Sequence, residues 1–107
     1  MDAWNGMVMV DNKEYKIVWW HNRMDQDRHD VEVVQPTTRA YTECAIADAP
    51  FLKTRGYGMA HCSWSDNFSR KTGRKLSLQR ALLASDFTEH QRRQVWWQVL
   101  AIKGLVV

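Results

Sequence analysis

Met7-Val8-Met9-Val10-Asp11-Asn12-Lys13-Glu14-Tyr15-Lys16-Ile17-Val18-Trp19-Trp20 is the stretch that decides the fold. Two apolar runs meet at Asp11-Asn12-Lys13. Asp and Asn tolerate the left-handed backbone that a tight hairpin demands. In the second run Tyr15, Ile17 and Trp19 alternate with Lys16, Val18 and Trp20, and the first set has the size and apolarity of a core face. The stretch therefore predicts an antiparallel hairpin with Tyr15, Ile17 and Trp19 pointing inward.

Working outward, residues 21–30 are polar, carry charges of both signs and read as a loop. Val31-Glu32-Val33-Val34 predicts a short strand ended at Gln35-Pro36. Residues 37–47 are rich in β-branched and aromatic residues and predict another strand, broken by Asp48-Ala49-Pro50. A further strand opens at Gly56-Tyr57-Gly58 and runs to about Trp64. Beyond it the pattern changes. Ser65-Asp66 offers capping side chains for a helix running to about Ala84. Thr88 and Gln91 have capping-box spacing and predict a second helix to about Ile102, with Gly104 past its end. The expectation is an α+β fold, an N-terminal antiparallel sheet followed by two C-terminal helices, in a single domain over 1–107. Residues 1–64 are its strand-rich part and 65–107 its helical part.

Composition agrees with a folded domain. The chain has 107 residues, 45% hydrophobic and 25% charged, with 15 Lys+Arg against 12 Asp+Glu and a net charge of +3. No apolar run approaches the roughly 18–20 residues of a membrane span, and no basic-then-apolar leader opens the chain. Cys44 and Cys62 read as free intracellular thiols rather than a disulfide framework. Six tryptophans are many for this length. The pairs Trp19-Trp20 and Trp96-Trp97 call for burial on both faces of their elements, which oligomerisation provides. In the last helix Val95, Trp96, Val99, Leu100 and Ile102 form one apolar stripe, with Trp97 and Ala101 off it, so Trp97 is expected against a second subunit or another element.

Catalytic signals are sparse. His61 and Cys62 are strand neighbours and point to opposite faces, so they do not pair. No CxxC, HExxH or GxxxxGK[ST] motif occurs. The acidic loop of Asp25, Asp27, His29 and Asp30 reads as solvated rather than as a metal site. The expectation is a non-enzyme with no cofactor and no metal.

The densest feature is Trp64-Ser65-Asp66-Asn67-Phe68-Ser69-Arg70-Lys71-Thr72-Gly73-Arg74-Lys75. At about 100° per residue, Asn67, Arg70, Lys71 and Arg74 share an arc of roughly 100° near a helix N-terminus. Cationic forks and free N–H donors there suit a phosphate. A solvated basic face is the more ordinary reading of such a run. Gly73 costs a helix about 1 kcal/mol against Ala, which a close backbone approach offsets. Tyr57, between two glycines, has the means to stack on a base. Arg23 and Arg28 in the polar loop are able to close on an anion, although exposed loop arginines are common. A net charge of +3 is mild for a duplex binder, so nucleic acid is not the expected partner.

The string His61-Cys62-Ser63-Trp64-Ser65-Asp66-Asn67-Phe68-Ser69-Arg70-Lys71-Thr72-Gly73-Arg74-Lys75-Leu76-Ser77-Leu78-Gln79-Arg80-Ala81-Leu82 resembles the first type of phage anti-Thoeris sponge. Its pattern is Cys-Ser at a strand end, Asp-x-Phe-x-Arg/Lys-x-x-Gly-Arg, then an apolar stretch closing in Arg-Ala-Leu. The resemblance covers about residues 56–83. It implies phage counter-defence in the cytoplasm of an infected bacterial host, by sequestering a cyclic ADP-ribose isomer or related cyclic nucleotide without cleaving it. It implies a homodimer or higher homo-oligomer with ligand pockets between subunits. By the same resemblance Tyr57 stacks on the base, in place of the family's Phe. Asn67 and Lys71 follow as ligand contacts, Phe68 and Arg70 within the motif are counted as ligand-binding with them, and Arg74, with Arg23 or Arg28, holds phosphate. The alternatives are a phage inhibitor acting by direct contact with a bacterial defence protein, as an anti-CRISPR does, and a small nucleic-acid-binding regulator.

Overall fold

A computed structural model describes residues 2–23, 38–49, 53–63 and 69–106. The chain runs β1 (Asp2–Val10), β2 (Lys13–Arg23), β3 (Thr38–Asp48), β4 (Thr54–Ser63), α1 (Arg70–Ala84) and α2 (Glu89–Leu100). The strands form one antiparallel meander in the order β1-β2-β3-β4, and both helices follow it in the chain. This is the α+β architecture expected. The strand expected at 31–34 lies outside the described residues.

The hairpin turns at Asp11 and Asn12, whose φ angles of 51° and 65° are both left-handed. Two successive positive φ values make the primed turn whose twist matches that of the flanking strands. α2 secures this turn. Gln91 and Gln94 each donate to one carboxylate oxygen of Asp11 at 2.8 Å, and the Asp11 N–H donates to Gln94 at 2.9 Å. Those two amides hold the Asp11 carboxyl below its ordinary pKa. Gln98 pairs with both backbone groups of Met9 and closes part of the β1 edge, which would otherwise offer itself to another strand.

Alternation then sorts the side chains. Tyr15, Ile17 and Trp19 are buried, as the pattern predicted, together with Val8, Val10, Cys44 and Ile46. They pack against Leu78, Ala81 and Leu82 of α1, Val95 and Val99 of α2, and Phe87, Leu105 and Val106. Burial pushes the Cys44 thiol up, so it stays a neutral core group.

Several boundaries differ from expectation. β2 runs on through His21 to Arg23, because pairing with β3 continues to Arg23 opposite Ala40, so Arg23 belongs to a strand and not to the expected loop; β4 opens at Thr54 rather than Gly56. β1 begins at Asp2 rather than Met7, since pairing with β2 runs on to Asp2 opposite His21. α1 begins at Arg70, capped by Ser69, whose hydroxyl accepts from Thr72 N–H. Four residues of capping type, Ser65, Asp66, Asn67 and Ser69, lie within five positions there, and spacing alone does not choose among them. α2 has the expected Thr88–Gln91 capping box but ends at Leu100. The expected apolar stripe is correspondingly divided. Val95 and Val99 are buried and Trp96 is half-buried, whereas Leu100 and Ile102 are exposed; the chain turns after α2 and fills the core with Leu105 and Val106 instead. Trp97 is 73% exposed in the single chain.

Candidate functional site

α1 lies directly on β4 and β3. A Cβ on Gly58 would stand 2.4 Å from both Ala81 N and Ser77 O, and one on Gly73 would stand 2.3 Å from Thr42 Oγ1. The close approach suggested by Gly73 is therefore present. The glycines flanking Tyr57 serve the same packing rather than loop flexibility, for Gly56 and Gly58 sit inside β4 under the helix. Residues adjacent in a strand face opposite ways. Tyr57 is thus held on a rigid strand and points away from α1.

On that outer face Trp20, Glu43, Ala45, Thr54 and Tyr57 line a cavity of about 420 Å³. The register places Trp20 opposite Glu43, and Ala45 opposite Tyr57. β2 and β4 flank β3, about 9–10 Å apart at two strand spacings. The two large aromatic side chains therefore flank β3 on the diagonal, Trp20 opposite Glu43 and Tyr57 opposite Ala45, with Glu43 and the small Ala45 between them. Tyr57 donates its hydroxyl to Glu43 Oε1 at 2.6 Å, and Asn22 Nδ2 donates to Glu43 Oε2 at 3.1 Å. Burial and the Glu43 carboxylate both raise the Tyr57 pKa, so the ring is neutral at physiological pH. An open hollow of this size, with two aromatic side chains and the fixed Glu43 carboxylate along it, offers a face to a planar ring system. Trp20, Glu43 and Ala45 were not among the expected site residues. The signal available for Trp20 was its place on the outer side of the β2 alternation.

Arg70 and Lys71 are exposed at the start of α1, on the other side of the sheet. Tyr57 and these cations are not brought together within one chain. Arg74 turns inward. Its guanidinium donates to the carbonyls of Leu105 and Gly104 and approaches His21 Nε2 at 3.3 Å. A guanidinium only donates, so Nε2 accepts, and His21 carries its proton on Nδ1, which donates to Thr42 Oγ1 at 2.8 Å. Burial, and then the Arg70 charge, hold the Arg74 pKa below its ordinary value, yet the group stays charged. The Arg74 carbonyl also accepts from the indole N–H of Trp19 at 3.1 Å. Asn67, Phe68 and Arg28 lie outside the described residues, as does the side chain of Arg23.

Arg74 therefore ties α1 to β2 and to the segment after α2, whatever else it touches. Arg74→Ala should lower stability by about 2 kcal/mol, the usual cost of a lost charged hydrogen-bonding group. Lys71→Ala, on the exposed surface, should stay within about 0.5 kcal/mol of wild type. Urea unfolding of both variants checks this, and equal midpoints would show that the Arg74 contacts add nothing.

Among the described residues no group of His, Cys, Asp or Glu has the makings of a metal site, and no helix is long and apolar enough to cross a membrane. Comparison of the chain with protein-family models, with curated proteins and with solved structures found no match.

Proposed function

We propose that this chain is a non-catalytic sponge, a homo-oligomer that binds a cyclic ADP-ribose isomer or a related cyclic nucleotide and holds it intact in the cytoplasm of an infected bacterial host. The observation that carries the reading is the position of Tyr57. The residue to which the resemblance gives base stacking stands 44% exposed at a cavity of about 420 Å³, with Trp20 diagonally across β3 from it, opposite Glu43. A base in this slot gains aromatic stacking, worth about 1–3 kcal/mol. Its phosphates need cations, and Arg70 and Lys71 are on the far side of their own sheet. A complete site therefore takes Tyr57 from one chain and the start of α1 from another. The exposed Trp97, Leu100 and Ile102 favour association of chains for a separate reason, since they leave apolar surface beside a small core.

The test is release of intact ligand. The purified protein is incubated with a lysate of cells making the signal, washed, denatured and assayed by mass spectrometry. An unaltered cyclic nucleotide in the supernatant is the expected result. A linear product would replace the sponge with an enzyme. Recovery of no nucleotide, with steeply salt-dependent polynucleotide binding instead, would favour the nucleic-acid regulator.

A further inference from the structure

Glu43 lies at the hydroxyl end of the Tyr57 ring, inside the aromatic cavity, and nothing in the stacking or phosphate contacts accounts for it. An ionised carboxylate only accepts, with about four lone-pair positions over its two oxygens. Tyr57 fills one position on Oε1 and Asn22 one on Oε2. Each oxygen keeps an open position, and the two bonds fix the plane of the group. A ring lying against Tyr57 meets this acceptor at its edge. An edge N–H gains a charge-assisted bond there, whereas an edge carbonyl sets oxygen against carboxylate with no proton between them. Resting on the sponge reading, we propose that Glu43 is a specificity-determining residue. It accepts from the exocyclic amine of the stacked base and selects adenine-type over hypoxanthine-type ligands.

The experiment is equilibrium dialysis of the full chain against an equimolar mixture of cyclic ADP-ribose isomers and the same isomers deaminated with nitrous acid, which turns adenine into hypoxanthine. Mass spectrometry reads the bound-to-free ratio of each form. Wild-type protein should enrich the adenine forms at least about tenfold, the size of one charged hydrogen bond. Glu43→Gln should bring the two forms within about threefold, because an amide donates to a carbonyl as readily as it accepts from an amine. This outer-face substitution keeps an acceptor for Tyr57, and thermal melting shows whether it is folded. Equal retention of both forms by wild type would overturn the role of Glu43 and leave the sponge standing. Unchanged selectivity in folded Glu43→Gln would do the same. Retention of neither form would overturn both readings.

Discussion

Gly58→Ala should destabilise the protein by about 3 kcal/mol or more, at the upper end of what overpacking costs. The added methyl would meet Ala81 N and Ser77 O at 2.4 Å and Arg80 Cβ at 2.8 Å. The two nearest atoms are backbone of a helix that also holds Leu78 and Leu82 in the core, so neither moves alone. α1 must lift from β4, which would also strain the bond from Arg80 to the Met59 carbonyl. Total stability of such domains is about 5–15 kcal/mol, so the loss is a large share. Gly73→Ala provides the contrast. It collides with a side-chain oxygen, Thr42 Oγ1, and regains about 1 kcal/mol of helix propensity, so its net cost should be smaller. Urea unfolding of the three proteins gives the order. A Gly58→Ala midpoint equal to wild type would mean that α1 does not rest on β4 this closely.

The same contact explains what was legible from residues alone. The hairpin was, because Asp11-Asn12 states its own turn and Tyr15, Ile17 and Trp19 state their own face. The Thr88–Gln91 box was, because both halves of the bond lie within four residues. Gly56 and Gly58 were legible only as the opening of a strand, because their packing partner, α1, lies about twenty residues further on. Glycine at a close approach and glycine at a turn look alike in one dimension. Trp20, Glu43 and Ala45 were missed for a related reason. The cavity exists only once β2, β3 and β4 are in register, which brings Trp20 and Tyr57, on strands far apart in the chain, to either side of β3. Arg74 had the right arc for a basic face, but no local signal shows that Gly104 and Leu105 return to accept from it.

Co-expressed Tyr57→Ala and Lys71→Ala chains should recover ligand binding that neither variant has alone. Each variant by itself should lose at least about tenfold in affinity, one through stacking and the other through a charged phosphate contact. Both sit on exposed surface, so both should melt normally. Suppose each site joins Tyr57 of one chain to Lys71 of another across a two-fold axis. In a mixed dimer one site then combines both substitutions, and the other combines an intact Tyr57 with an intact Lys71. Random pairing makes about half the dimers mixed, so about a quarter of all sites regain full affinity. A site built within one chain predicts none, because every chain is broken at one residue or the other. Calorimetry on the mixture separates the cases through stoichiometry, not affinity: a tight phase at about a quarter of wild-type capacity against no tight phase at all. The second outcome, with both single variants impaired, would exclude a shared site of this kind and put Tyr57 and Lys71 in the site of one chain. The sheet speaks for the shared arrangement, because Gly58 under the helix turns its neighbour Tyr57 to the other side.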